Sequence, residues 1–95
     1  MENGVIFLIR PAHINTDLLS MTIEKHTRCR VFRFFSYEET LLYRNLNPKL
    51  IITDQQYVRH SEDNIDSYTI PSHLKLVDEV IDELSLLNTR LEEIA

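Results

Sequence analysis

The apolar positions of this chain fall into short unbroken runs, separated by segments that are polar or apolar at helical spacing. Val5-Ile6-Phe7-Leu8-Ile9 is the longest run. Five residues, apolar at every position, predict a strand buried on both faces, as in a parallel sheet. Arg10-Pro11 ends it. Asn15-Thr16-Asp17 then offers cap residues and an early acid. Leu18, Leu19, Thr22 and Ile23 follow at helical spacing. Arg30 to Phe35 is aromatic and β-branched, which predicts a second strand. Ser36-Tyr37-Glu38-Glu39 reads as a capping box: the Ser36 hydroxyl can accept the Glu39 amide, and Glu39 can reach back. The helix it opens carries Leu41, Leu42 and Leu46 and stops at Asn47-Pro48. Leu50-Ile51-Ile52-Thr53 is the third strand.

After Asp54 the pattern weakens. Residues 55–66 are polar and read as loop. Ser67 to Ile70 predicts a short fourth strand, and Pro71-Ser72 opens a long helix to about Glu93. Strand, helix, strand, helix, strand with short connections implies parallel βαβ units with right-handed crossovers. The expected fold is therefore α/β: a small doubly wound parallel sheet of about four strands in one domain, residues 1–95. Sheet and helices occupy 1–70, and the long terminal helix occupies 71–95.

Composition narrows the function classes. The 95 residues are 43% hydrophobic and 26% charged, an ordinary globular balance rather than a disordered one. One cysteine, Cys29, excludes an internal disulfide and suits a reducing compartment, so a cytoplasmic location is expected. No apolar run is long enough for a membrane span. The net charge of −5 argues against nucleic acid as the main partner, because phosphate contacts need a positive face.

Pro48-Lys49-Leu50-Ile51-Ile52-Thr53-Asp54 resembles the third strand of a response-regulator receiver domain, which ends on the phosphoacceptor aspartate. Asp66-Ser67-Tyr68-Thr69-Ile70-Pro71, followed by Leu74 and Val77, resembles that family's last strand, its Lys-Pro turn and its final helix. The resemblance covers most of the chain and implies a flavodoxin-like fold with Asp54 at the phosphoacceptor position. Three departures weigh against the family's chemistry. Receivers place a pair of acids at the end of the first strand to hold magnesium, and here those positions are Arg10 and Pro11. Residues 55–65 are too few for the usual intervening helix, strand and helix, so the middle portion is shortened and the switch Ser or Thr has no counterpart. The lysine before the proline is Ile70.

Phosphoryl transfer is mostly positioning and charge neutralisation. A phosphorylated carboxylate needs a cation or good donors, and magnesium wants oxygen ligands that Arg10 and Pro11 do not supply. The expectation is an aspartate without its machinery. In a doubly wound sheet the ends of the first and third strands meet at the switch point. Arg10 could stand about where the metal would have been and neutralise Asp54. Equally, Arg10 could face solvent while Asp54 caps the following loop.

Other candidates read as structural. His26, Arg28, Arg30 and Arg33 form a basic patch that fits a charged edge strand. Phe32, Phe34 and Phe35 read as core aromatics. His13, His26, His60 and His73 lack ligand spacing. Cys29 lies between two arginines, which could lower its pKa, but a small buried hydrophobe is the simpler reading. No metal, no cofactor and no enzyme chemistry is expected. The last helix is different. Val77, Val80, Leu84, Leu87, Leu91 and Ile94 fall three and four residues apart, the a/d seam of a coiled coil. Leu74, Leu76, Ile81 and Leu86 widen the apolar surface beyond one stripe. The seam predicts a homodimer.

The sequence thus predicts a non-catalytic pseudo-receiver: a dimerising, protein-binding regulatory module in bacterial signalling whose partner protein the sequence does not name. One alternative is a functional single-domain response regulator phosphorylated on Asp54. Another is a structural oligomerisation unit cut from a longer regulator.

Overall fold

Every strand expected from the apolar runs is present. The computed structural model describes residues 4–54 and 65–86. In chain order they form β1 (Val5–Ile9), α1 (Thr16–Thr27), β2 (Arg30–Phe34), α2 (Tyr37–Thr40), a 3-10 segment (Leu41–Leu46), β3 (Leu50–Thr53), β4 (Asp66–Thr69) and α3 (Val77–Leu86). The strands make one sheet in the order β2-β1-β3-β4, and every pairing is parallel. This α/β arrangement is compatible with a flavodoxin-like fold, whose strand order begins in the same way.

The central strands explain why their sequences alternate so little. Side chains of successive strand residues point to opposite faces. In β1, Ile6 and Leu8 face one layer while Phe7 and Ile9 face the other, and Leu50 and Ile52 oppose Ile51 in the same way on β3. The first layer is the larger. It packs Leu19 and Ile23 of α1 and Val77, Val80, Ile81 and Leu84 of α3 against the sheet. The second layer is thinner: Phe7, Ile9, Phe34 and Ile51, covered in part by Tyr37 and Leu46. Phe7 and Phe34 meet edge to face at 4.7 Å between centroids.

Local chemistry sets the element ends. Asn15 caps α1, its side chain accepting from the Leu18 amide at 3.0 Å. Arg28 closes the helix in the left-handed region, at φ 59°, and its amide returns to the Glu24 carbonyl. Ser36 caps α2 by accepting from the Glu39 amide at 3.3 Å. The Glu39 carboxylate reaches back one residue further than a capping box requires, to the Phe35 amide.

Two expectations need correction. The helix expected to carry Leu41, Leu42 and Leu46 lasts four residues, then tightens to 3-10 with a non-helical break at Tyr43. The break turns Leu41 and Leu42 outward, 44% and 78% exposed, and leaves Leu46 to pack. The last helix does not begin at Pro71. Its first residue is Val77, because the Pro71 carbonyl accepts from the Leu74 amide in a turn and the Glu79 carboxylate accepts from the Lys75 and Leu76 amides. A long terminal helix is therefore not seen, and residues 87–95 lie outside the described residues. No helix among the described residues is long and apolar enough to cross a membrane.

Candidate functional site

The carboxyl ends of β1, β2 and β3 meet the β1–α1 loop, and Asp54 stands there. Backbone bonds draw the strand ends together just below it. The Arg10 amide donates to the Phe34 carbonyl at 2.8 Å, extending β1 alongside β2. The Ile70 amide donates to the Thr53 carbonyl at 2.7 Å, extending the β3–β4 pairing. Above these, the Asp54 carboxylate crosses the switch point between β1 and β3. Its Oδ2 accepts from the Ala12 amide at 2.8 Å and lies 3.6 Å from Nδ1 of His13. Both side chains are largely covered, 10% exposed for Asp54 and 19% for His13. The His13 Nε2 is buried and has no hydrogen-bond partner among the described residues.

Arg10 does not fill the role suggested for it. Its side chain is exposed, and the guanidinium carbon lies 5.6 Å from the centroid of the Phe35 ring. The ring gives the cation an attractive face, and the Asp54 oxygen is already engaged by the loop amide. The charge beside Asp54 comes instead from His13, when protonated. Ile70 is 1% exposed and belongs to the apolar core. Among the described residues no three His, Cys, Asp or Glu side chains converge to hold a metal ion.

The remaining candidates fall into place around this edge. β2 is an edge strand, and its basic residues use their charge locally: Arg30 lies over the Phe32 ring and Arg33 pairs with Asp17 of α1. Phe34 is core, whereas Phe35 is 74% exposed. Cys29 is buried, and burial pushes its thiol pKa up against the smaller downward pulls of Thr27 and Lys49. That is the opposite of an activated thiolate. The first half of the predicted dimer seam lies in the core of the single chain. Val77, Val80 and Leu84 are at most 7% exposed and packed against the chain's own sheet. Leu87, Leu91 and Ile94 lie outside the described residues.

The two groups beside Asp54 are not legible in the sequence. His13 lacks metal-ligand spacing, and a backbone amide leaves no mark in a sequence. The available signal was topological. If β1 and β3 are neighbours, the residues just after β1 sit beside the residue just after β3.

Comparison of the chain with protein-family models, with curated proteins and with solved structures finds no match.

Proposed function

We propose that this chain is a receiver-like regulatory module that works by binding a partner protein and performs no phosphoryl transfer. The observation that carries the reading is the hydrogen bond from the Ala12 amide to Asp54. At the position that matches a phosphoacceptor, the carboxylate is tied to the loop that would have to carry the magnesium acids. Arg10 and Pro11 stand where those acids would be, and Ile70 stands where the lysine would be. The sheet order β2-β1-β3-β4 supports the receiver-like half of the proposal, since it is the opening of the 2-1-3-4-5 order. Exposed Leu41, Leu42 and Tyr43 on the thinner side of the sheet would give a partner an apolar surface. Self-association, if it belongs to the function, would use Leu87, Leu91 and Ile94.

Intact-mass measurement after incubation with a small-molecule phosphodonor and magnesium tests the proposal. The mass is expected to stay unchanged. A phosphate-sized gain that disappears in Asp54→Asn would replace this reading with that of a phosphorylated single-domain regulator.

A further inference from the structure

Beside β1, away from β3, an open cleft of about 900 Å³ separates the start of α1 from the end of β2. Its floor is Arg10, Pro11, Ala12 and Ile14, and its far wall is Arg33, Phe34 and Phe35. That volume lies within the range of small-molecule sites. The backbone around it is fixed. The Arg10 amide is bonded to Phe34, the Asn15 side chain is bonded to the Leu18 amide, and Arg33 is held across the opening by Asp17.

The chemistry of the walls is specific. Arg10 is exposed, and no carboxylate among the described residues pairs with it. Its planar fork of donors suits a phosphate group. Arg33 and Asp17 cancel each other, so Arg10 leaves the cleft with a net positive charge on a chain whose total is −5. Phe35 is 74% exposed at the same wall, with the Arg10 guanidinium against its ring. An aromatic surface beside a cation suits a ligand that carries an aromatic ring and an anionic group together. The geometry points to a binding site for a small aromatic phosphate monoester of the nucleoside monophosphate class. Its phosphate meets Arg10, and its ring lies against Phe35. The site uses no atom of Asp54, so it stands or falls separately from the proposed function.

Amide chemical-shift titrations at low salt, with adenosine monophosphate, ribose 5-phosphate and inorganic phosphate as probes, test the inference. Adenosine monophosphate is expected to give saturable shifts at Arg10, Ala12, Asn15, Thr16 and Phe35. It should bind about tenfold tighter than inorganic phosphate, the order expected for one base–aromatic stacking contact. Arg10→Gln should weaken it by about tenfold, the loss expected for one charge-assisted contact. Phe35→Ala should bring it down to the level of ribose 5-phosphate. Both substituted side chains are exposed, and unchanged shifts in α3 would show that each variant is folded. Shifts that fail to saturate, that spread equally to Arg28 and Arg30, or that survive Arg10→Gln would overturn the inference. So would equal affinity for all three probes.

Discussion

Asp54 and Ala12 are 42 residues apart in sequence, and a 2.8 Å hydrogen bond from the Ala12 amide to the Asp54 carboxylate joins them. The bond closes the end of β3 onto the loop that leaves β1. It satisfies a loop amide that has no place in a strand or helix. It also fixes the carboxylate, and Nδ1 of His13 lies 3.6 Å from the same oxygen. A group held in this way contributes to stability through what it organises, and that contribution can be measured.

Asp54→Ala removes the acceptor and leaves the amide of exposed Ala12 to water. An ordinary hydrogen bond contributes about 0.5–1.5 kcal/mol net, so the variant should lose at most stability of that order in chemical denaturation. Asp54→Asn keeps one acceptor oxygen and should lose less. Equal stability of all three proteins would mean that solvent replaces the bond without cost.

Tyr68 should make the protein sensitive to alkali. Burial, with a smaller push from the charge of Glu83, raises its phenol from 10.0 to about 12. A raised folded-state pKa means that the folded protein holds the proton longer than the unfolded chain does. The contribution to stability is then complete below about pH 10 and is lost as the pH rises through about 12. Tyr68→Phe should abolish this part of the pH dependence. The hydroxyl is buried without a hydrogen-bond partner among the described residues, so at neutral pH the substitution should cost little or stabilise. Spectrophotometric titration of phenolate absorbance, with denaturation at several pH values, checks both statements.

Gly4 has φ 136°, a conformation that L side chains rarely adopt, and a Cβ there would stand 2.8 Å from Cε of Lys49. The lysine end can move, but the backbone cannot without losing the bond from the Arg30 amide to the Gly4 carbonyl. Gly4→Ala should therefore destabilise by about 1 kcal/mol or more, mainly through backbone strain. Lys49→Ala in the same background should recover little of the loss, which a thermal melt of both variants would show.

Self-association has a direct test. Val80 and Leu84 are core residues, so changing them reports on folding rather than on assembly. Leu91→Glu with Ile94→Glu tests the end of the seam instead, with circular dichroism as the check on folding. Light scattering on the unsubstituted protein should give about twice the 11.3 kDa chain mass. The double variant should give the mass of one chain with most helical circular dichroism retained. An unsubstituted protein that stays monomeric at high micromolar concentration would remove the dimer from the proposal.

The strands were legible because burial on two faces writes itself as an unbroken apolar run. β1 and β3 have the expected bounds for that reason, and β4 is displaced by one residue because Asp66 pairs with Leu50 despite its polar side chain. The start of α3 was hidden. A cap usually shows as Ser, Thr, Asp or Asn before the helix, whereas here Glu79, inside the helix, returns to the Leu76 amide. Pro71-Ser72 imitated a start that the chain does not use. At the switch point the residue after β3 was legible and its partners were not. Arg10, Ala12 and His13 all lie on one loop. Which of them turns toward Asp54 depends on the path taken after Pro11 and on the competing ring of Phe35, both set by tertiary packing.

The place of β1 in the sheet has a consequence for how the chain folds. Its residues pair on one side with partners 25 positions away, as Val5 does with Arg30, and on the other with partners 44 positions away, as Ile6 does with Leu50. No two strands can join through a hairpin, so every ladder must close a long loop before it gains a single bond. Such non-local pairing slows folding. β1 precedes both of its partners in the chain, so its edges stay open until β2 and β3 have joined it. During that interval Val5 to Ile9 is an unpaired apolar strand, the kind of segment most prone to pair with another molecule.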